Sequence, residues 1–293
     1  MLHLASTARA PRRRRVFREA ATSNALIAHR KFRAALDAAA LPALREARDA
    51  IAADLDRIRE VIAATPPDRF NAAFLPRIEA QLEAMREDLD SRIELALRDG
   101  VRGGAAAGTA ALPTPPPGAL GTSAFAFTGI EETVVAAAIA NAGELVTGVG
   151  ETLRRSVMRE VRLAVVGGQT QYDAILAVQS TLDKAGAAAS VFRSTFYRAE
   201  TIVRTETNRA GNVVQLEGAA RVNASFPGMF GKTWVTARDD RVRPSHEALD
   251  GVTIPVEDQF DVGGIPADGP MDPGLPAEEA INCRCTIVIG VRE

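Results

Sequence analysis

Over residues 16–99 apolar side chains recur at every third or fourth position, the spacing of one face of an α-helix and not of a strand. Leu26, Leu36, Leu44, Ala47, Ile51, Leu55, Ile58 and Ile62 make one such row, and Phe74, Leu75, Ile78, Leu82, Met85, Leu89, Ile93 and Leu97 make another. Between them stands Pro66-Pro67, which a helix cannot absorb because proline lacks the N–H and its ring clashes with the preceding turn. The pattern predicts two long helices, the second from about Asn71 to Arg98 with Gly100 as its stop, folded back as an antiparallel hairpin.

Composition limits how such helices pack. The chain of 293 residues is 46% hydrophobic but only 5% aromatic. Alanine favours helix yet fills little volume, so long helices with modest side chains between them are expected. Residues 101–129 change character. Gly103-Gly104-Ala-Ala-Ala-Gly108 and Pro113-Thr-Pro-Pro-Pro117 offer no core and read as a linker. Helical spacing resumes from Ile130 to Val166, although Gly143, Gly148 and Gly150 should weaken or divide it. Thr170 with Asp173 has the form of a capping box opening a helix to Lys184, and a further helix is expected from Ser190 to Arg221.

After Pro227-Gly228 the spacing turns to short β runs, Lys232–Thr236 and a closing strand over Cys283–Val291. The fold class expected is α+β and predominantly helical: an N-terminal helical hairpin, then a helical region closed by a small antiparallel β-sheet. The corresponding division is a basic arm and hairpin over 1–100, a linker over 101–129 and an α+β domain over 130–293. No apolar run reaches the length of a membrane span, and the arginine run near the start is not followed by the apolar core of a secretion signal. A soluble protein made in a reducing compartment is expected, since two cysteines one residue apart cannot frame a disulfide scaffold.

The last quarter of the chain holds its single tryptophan, both cysteines and one of its three histidines. Its landmarks are Lys232-Thr-Trp-Val-Thr-Ala-Arg-Asp-Asp-Arg-Val-Arg-Pro-Ser-His246, Leu249-Asp-Gly251, Pro276-Ala-Glu-Glu279 and Ile281-Asn-Cys-Arg-Cys285, preceded by Arg198-Ala-Glu-Thr-Ile-Val-Arg-Thr-Glu-Thr-Asn-Arg-Ala-Gly-Asn212. In this order they resemble the phage head morphogenesis family typified by the F protein of phage Mu, over roughly residues 150–293. The resemblance implies a minor capsid protein of a tailed bacteriophage, present in few copies in the virion near the portal. It further implies a role in procapsid assembly and in DNA packaging or delivery, with the host cytoplasm as the place of assembly. The partners it implies are the portal protein and the major capsid or scaffold protein.

Read as chemistry, His246, Cys283 and Cys285 are ligand types that zinc favours, and Asp239 or Asp240 is the candidate for a fourth ligand. Two residues one apart in a strand share a face, which would turn both sulfurs to one ion. The alternative is that the thiols are small packed side chains and His246 bonds locally. A second candidate is a buried network from Arg204, Glu206 and Asn208 to Trp234 and the Arg238, Asp240, Arg241 and Arg243 loop, with a surface ion-pair ladder as its alternative.

A catalytic reading competes with these. There is no Gly-rich phosphate loop and no His-Glu-x-x-His, so no catalytic residue is assigned and a non-enzymatic protein is expected. A virion-carried metal-dependent or nucleotide-modifying enzyme is the alternative, with His246 and Cys283 as a conceivable nucleophile pair. Arg12, Arg13, Arg14 and Arg15 form a dense cationic block that suits either packaged DNA or an acidic protein surface such as a portal ring. A DNA-binding packaging accessory is therefore a further alternative.

Overall fold

The computed structural model describes residues 11–66, 70, 72–73, 75–113, 130–168, 170, 172–177 and 189–292. The fold is α+β and predominantly helical. Helices α1 (Pro11–Ala63), α2 (Leu75–Ala110), α3 (Ile130–Val166), α4 (described over 172–177) and α5 (Ala189–Ser225) precede strand β1 (Phe230–Val235). There follow α6 (Pro244–Glu247), β2 (Thr253–Pro255), β3 (Phe260–Val262), β4 (Ile265–Ala267), α7 (Ala277–Ala280) and β5 (Thr286–Val291). The chain divides into two compact units that are discontinuous in sequence. One comprises Leu36–Ala106 and Glu131–Gly211; the other comprises Met1–Ala35, Ala107–Ile130 and Asn212–Glu293. This division cuts through helices, unlike the sequential partition at 100 and 130 that composition suggested.

In the all-helical unit the two rows of apolar residues are the core. Leu36, Ile51, Ile58 and Ile62 of α1 and Ile78, Leu82, Leu89, Ile93 and Leu97 of α2 are buried. α2 touches each of the other long helices of this unit. Arg57 and Arg92 approach the buried Asp54 of α1, Arg154 of α3 pairs with Glu79 at 3.2 Å, and the N–H of Gly150 donates to Asp90 Oδ1 at 3.0 Å. Burial is the first cause of the raised pKa of Asp54, with the two arginines opposing it. Helix α3 runs unbroken past its three glycines, because Gly150 fits where a side chain would meet Arg86 and Asp90 at 2.8 Å.

The linker expected from 101 begins as helix: α2 continues through Gly100, Gly103 and Gly104 to Ala110. The reason is close approach between backbones, not flexibility. A Cβ at Gly104 would lie 2.2 Å from the carbonyl oxygen of Thr207 in α5, and one at Gly103 would lie 2.8 Å from the Cβ of Ala39 in α1. Glycine in a helix costs about 1 kcal/mol relative to alanine, and here the packing it permits offsets that cost. The remainder of the expected linker, 114–129, lies outside the described residues.

In the sheet-bearing unit the strand order is β2-β1-β5, all antiparallel, with β1 paired on both edges. All six residues of β1 are buried, so both faces of the strand are covered. Lys232 is therefore inside, its ammonium 5.5 Å from the Phe260 ring centroid and 4.0 Å from Asp268, with burial pulling its pKa down. β3 and β4 form a hairpin through Gly263 and Gly264, both with positive φ, as a two-residue primed turn requires.

The closing strand begins at Thr286 and not at Cys283; the cysteines lie on the segment that leads into it. The start of β5 is held from two helices. His29 Nδ1 of α1 lies 2.8 Å from Thr286 Oγ1, and the N–H of Ile287 donates to Asn212 Oδ1 of α5 at 3.2 Å.

Two predictions follow from packing. Gly104→Ala should lower the stability of the full chain by about 2 kcal/mol or more, because two backbones must separate. Gly290→Ala, with open space around the added methyl, should leave denaturant unfolding almost unchanged. For His29, burial and then Arg33 lower the pKa from 6.5 to about 4, with Asp250 opposing and Arg238 and Arg30 adding to the shift. The folded state thus holds a neutral imidazole. Its contribution is complete above 6.5 and lost as pH falls towards 4, a loss of at most about 3 kcal/mol. His29→Asn should flatten that part of the pH–stability profile, measured by denaturant unfolding.

Candidate functional site

The site is built where the chain leaves β1 and where it enters β5. Beyond Val235, Thr236 is fixed by Asp250, whose Oδ1 accepts from its N–H at 3.0 Å and its hydroxyl at 3.1 Å. Asp250 also pairs with Arg238 at 2.8 Å, and Arg238 takes a left-handed backbone, φ 54°. Asp239 accepts from the N–H of Arg241 and closes a short turn. Pro244 then occupies the first position of α6, where its missing N–H costs nothing, and this single turn delivers His246 into the core. The segment is stitched back to β1 by the N–H of Gly251 donating to the Trp234 carbonyl at 2.8 Å, and by the Trp234 N–H donating to Val252 at 3.0 Å.

On the other side α7 ends at Ala280 with Ile281 as its extended cap, and Asn282 turns the chain with φ 58°, a conformation asparagine tolerates better than most residues. Cys283 and Cys285 follow. Arg243 donates to the carbonyl of Ile281 at 2.6 Å and holds the two segments together.

His246, Cys283 and Cys285 converge. All three are buried, and His246 Nδ1 lies 3.5 Å from each sulfur. The other ring nitrogen, Nε2, is 2.9 Å from Glu279 Oε2, a close contact outside the alignment of a full hydrogen bond. Glu279 is itself held by the Ser245 hydroxyl, which donates at 2.9 Å. Trp234, fully buried, meets the His246 ring edge-on at 5.2 Å and the Phe260 ring at 5.3 Å. Its indole N–H has no aligned acceptor and stands beside Cys285, where it favours the thiolate.

The two thiols act on each other. A hydrogen bond from Cys285 pulls the pKa of Cys283 well below the ordinary thiol value against the cost of burial, with His246 assisting. Cys285 is correspondingly pushed up, first by its bond to Cys283 and then by burial. The cavity next to the cluster, also lined by Ala237, Arg243 and Asn282, is about 10 Å³, room for one water and not for an organic substrate.

The other expected site residues fall elsewhere. Asp239 is not a fourth member of the cluster: both of its oxygens face the guanidinium of Arg284, which lowers its pKa. The α5 residues expected to take part in a network make pairs within their own unit. Arg204 pairs with Glu200 at 2.9 Å and approaches Asp37 at 3.7 Å. The buried Glu206 pairs with Arg209 one turn on, and Asn208 is buried. In the loop, Asp240 and Arg241 are exposed, while Arg238 and Arg243 find Asp250 and Ile281. The block Arg12–Arg15 lies in α1, with its side chains outside those described. Sequence reasoning did not single out Glu279, Ser245, Asp250, Asn212 or Arg284. All five stood in the stretches quoted for the resemblance, but nothing in their spacing marks a role.

Residues 155–288, just under half of the chain, match the family model described as Phage Mu protein F like protein. The matched span contains α5, the central strand, His246, both cysteines and Glu279. This segment belongs to the phage Mu F-like family. Within the Mu F-like segment Trp234, Cys283 and Cys285 belong to one buried core. NAD(+)--arginine ADP-ribosyltransferase EFV of Enterococcus faecalis (strain ATCC 700802 / V583) is 30% identical over 95 residues, covering 32% of this chain. The match spans 19% of that protein's length. No solved structure gives a significant match. Among the described residues no helix is long and apolar enough to cross a membrane.

Asp250 closes the Mu F-like loop with bonds to both Thr236 and Arg238. Asp250→Ala should therefore destabilise the chain by about 1–3 kcal/mol in denaturant unfolding, since it leaves the buried Thr236 N–H and hydroxyl unpaired. Arg284→Ala, which removes a pair on the surface, should change unfolding little.

Proposed function

We propose that this protein is a minor capsid protein of a tailed bacteriophage that acts in head morphogenesis, at the portal vertex or on the inner capsid. The observation that carries this reading is the match of residues 155–288 to the phage Mu F-like family. The chemistry of the site agrees with it. Its most unusual side chains are buried under Trp234, beside a cavity of about 10 Å³, an arrangement that suits holding two segments together better than admitting a substrate.

Portal protein and the major capsid or scaffold protein are the partners this role requires, with action during procapsid assembly and DNA packaging or delivery. The cationic block Arg12–Arg15 would contact packaged DNA or an acidic ring surface. The localisation is the virion, with assembly in the host cytoplasm. The arginine ADP-ribosyltransferase named for the E. faecalis relative gives the alternative, a virion-carried nucleotide-modifying enzyme; the shared part is a fifth of that protein.

Deleting the coding sequence from the phage tests the reading. Procapsids should lose the protein and infectivity should fall at least tenfold. Procapsids that never contain it, together with unchanged infectivity, would overturn the proposal. Transfer of ADP-ribose to arginine by the purified full chain would establish the alternative instead. Replacing Arg12–Arg15 with serine should weaken DNA binding in a salt-dependent way if DNA is the contact, and should reduce incorporation alone if protein is.

A further inference from the structure

We infer that His246, Cys283 and Cys285 hold one zinc ion, with His246 coordinating through Nδ1 and Glu279 orienting the ring from its far side. The distances support this independently of the family. For a tetrahedral zinc with Zn–S of about 2.3 Å and Zn–N of about 2.0 Å, the nitrogen and each sulfur lie about 3.5 Å apart. Here both of those separations are 3.5 Å, and all three donor atoms lie within 4.8 Å of one another. A histidine serving a single thiol as its base would favour one sulfur. This one stands equally close to two.

Donor type and surroundings point the same way. Two thiolates and an imidazole form a set that selects zinc over magnesium, calcium or manganese. A metal-bound histidine typically turns its second nitrogen to a carboxylate, which fixes the tautomer and strengthens the ligand. Nε2 of His246 faces Glu279 at 2.9 Å, and Ser245 holds that carboxylate in place. On binding, the thiol protons leave to solvent and the ion takes their place, so the buried charge is balanced.

Asp239 is committed to Arg284, so the fourth position falls to a small ligand from the adjoining cavity, which has room for one water. The ion would join the segment after β1 to the segment before β5, parts of the chain that meet only through the tertiary fold. The assignment does not rest on the head-morphogenesis reading, and its failure would leave that reading intact.

The test uses the full chain. Elemental analysis of purified protein should find one zinc per chain, and cobalt(II) added to the metal-free protein should give thiolate-to-cobalt charge-transfer absorption with intense tetrahedral bands. Cys285→Ser should abolish the charge-transfer contribution of that sulfur. Because that variant risks misfolding, Glu279→Gln is the second arm. It keeps all three ligands and should weaken zinc binding by about 10–100-fold in competition with a chromophoric chelator. Folded wild-type protein that binds neither ion, or that binds cobalt without a thiolate band, would overturn the assignment. Unchanged zinc affinity in Glu279→Gln would overturn the role given to Glu279.

Discussion

The covering of β1 on both faces is the constraint around which the sheet-bearing unit is organised. A strand with both edges paired and every residue buried must find neighbours for its polar side chains as well as its apolar ones. Lys232 answers this with the Phe260 ring and Asp268, and Thr233 with the hydroxyl of Thr253 at 2.7 Å. Trp234 answers it by becoming the plate on which His246, Phe260 and Cys285 assemble. The segment after β1 leaves that covered strand, the segment before β5 enters its antiparallel neighbour, and side-chain hydrogen bonds fix both.

Much of the helical architecture was legible. The apolar rows of α1 and α2 became core faces, the double proline stands just beyond the end of α1, and the Thr170–Asp173 capping box forms with reciprocal bonds of 2.9 and 3.2 Å. These features depend on residues within a few positions of one another, so local spacing is enough to reveal them. Gly100, Gly103 and Gly104 were misread for the complementary reason. In sequence they look like a stop and a linker, whereas their role is set by Thr207 and Ala39, far along the chain. Composition records that a side chain is missing. It does not record what lies against the gap.

The candidate site divides in the same way. His246, Cys283 and Cys285 could be picked out because their side chains bind metals whatever the fold. Asp239 was grouped with them by proximity in sequence, and Arg284 took it away, since an exposed carboxylate beside a guanidinium gains more from that pair than from turning inward. Glu279 carried no signal of its own, because a glutamate on a short helix is ordinary until the imidazole facing it is known. Arg204 with Glu200 and Glu206 with Arg209 pair one helical turn apart, an arrangement local spacing can reveal, whereas the approach of Arg204 to Asp37 is one it cannot.

Local periodicity and intrinsic chemistry were enough to give the class of the fold, the positions of most helix boundaries to within a turn or so and the side chains whose chemistry suits a metal. Only the tertiary structure decided which backbones touch at the glycines and that Lys232 is interior. It also set two thiols and one imidazole nitrogen at equal distance and turned Glu279 to the far side of that ring. Each of these depends on segments far apart along the chain, whose encounter is fixed by the shared burial of a core and by no spacing within either segment.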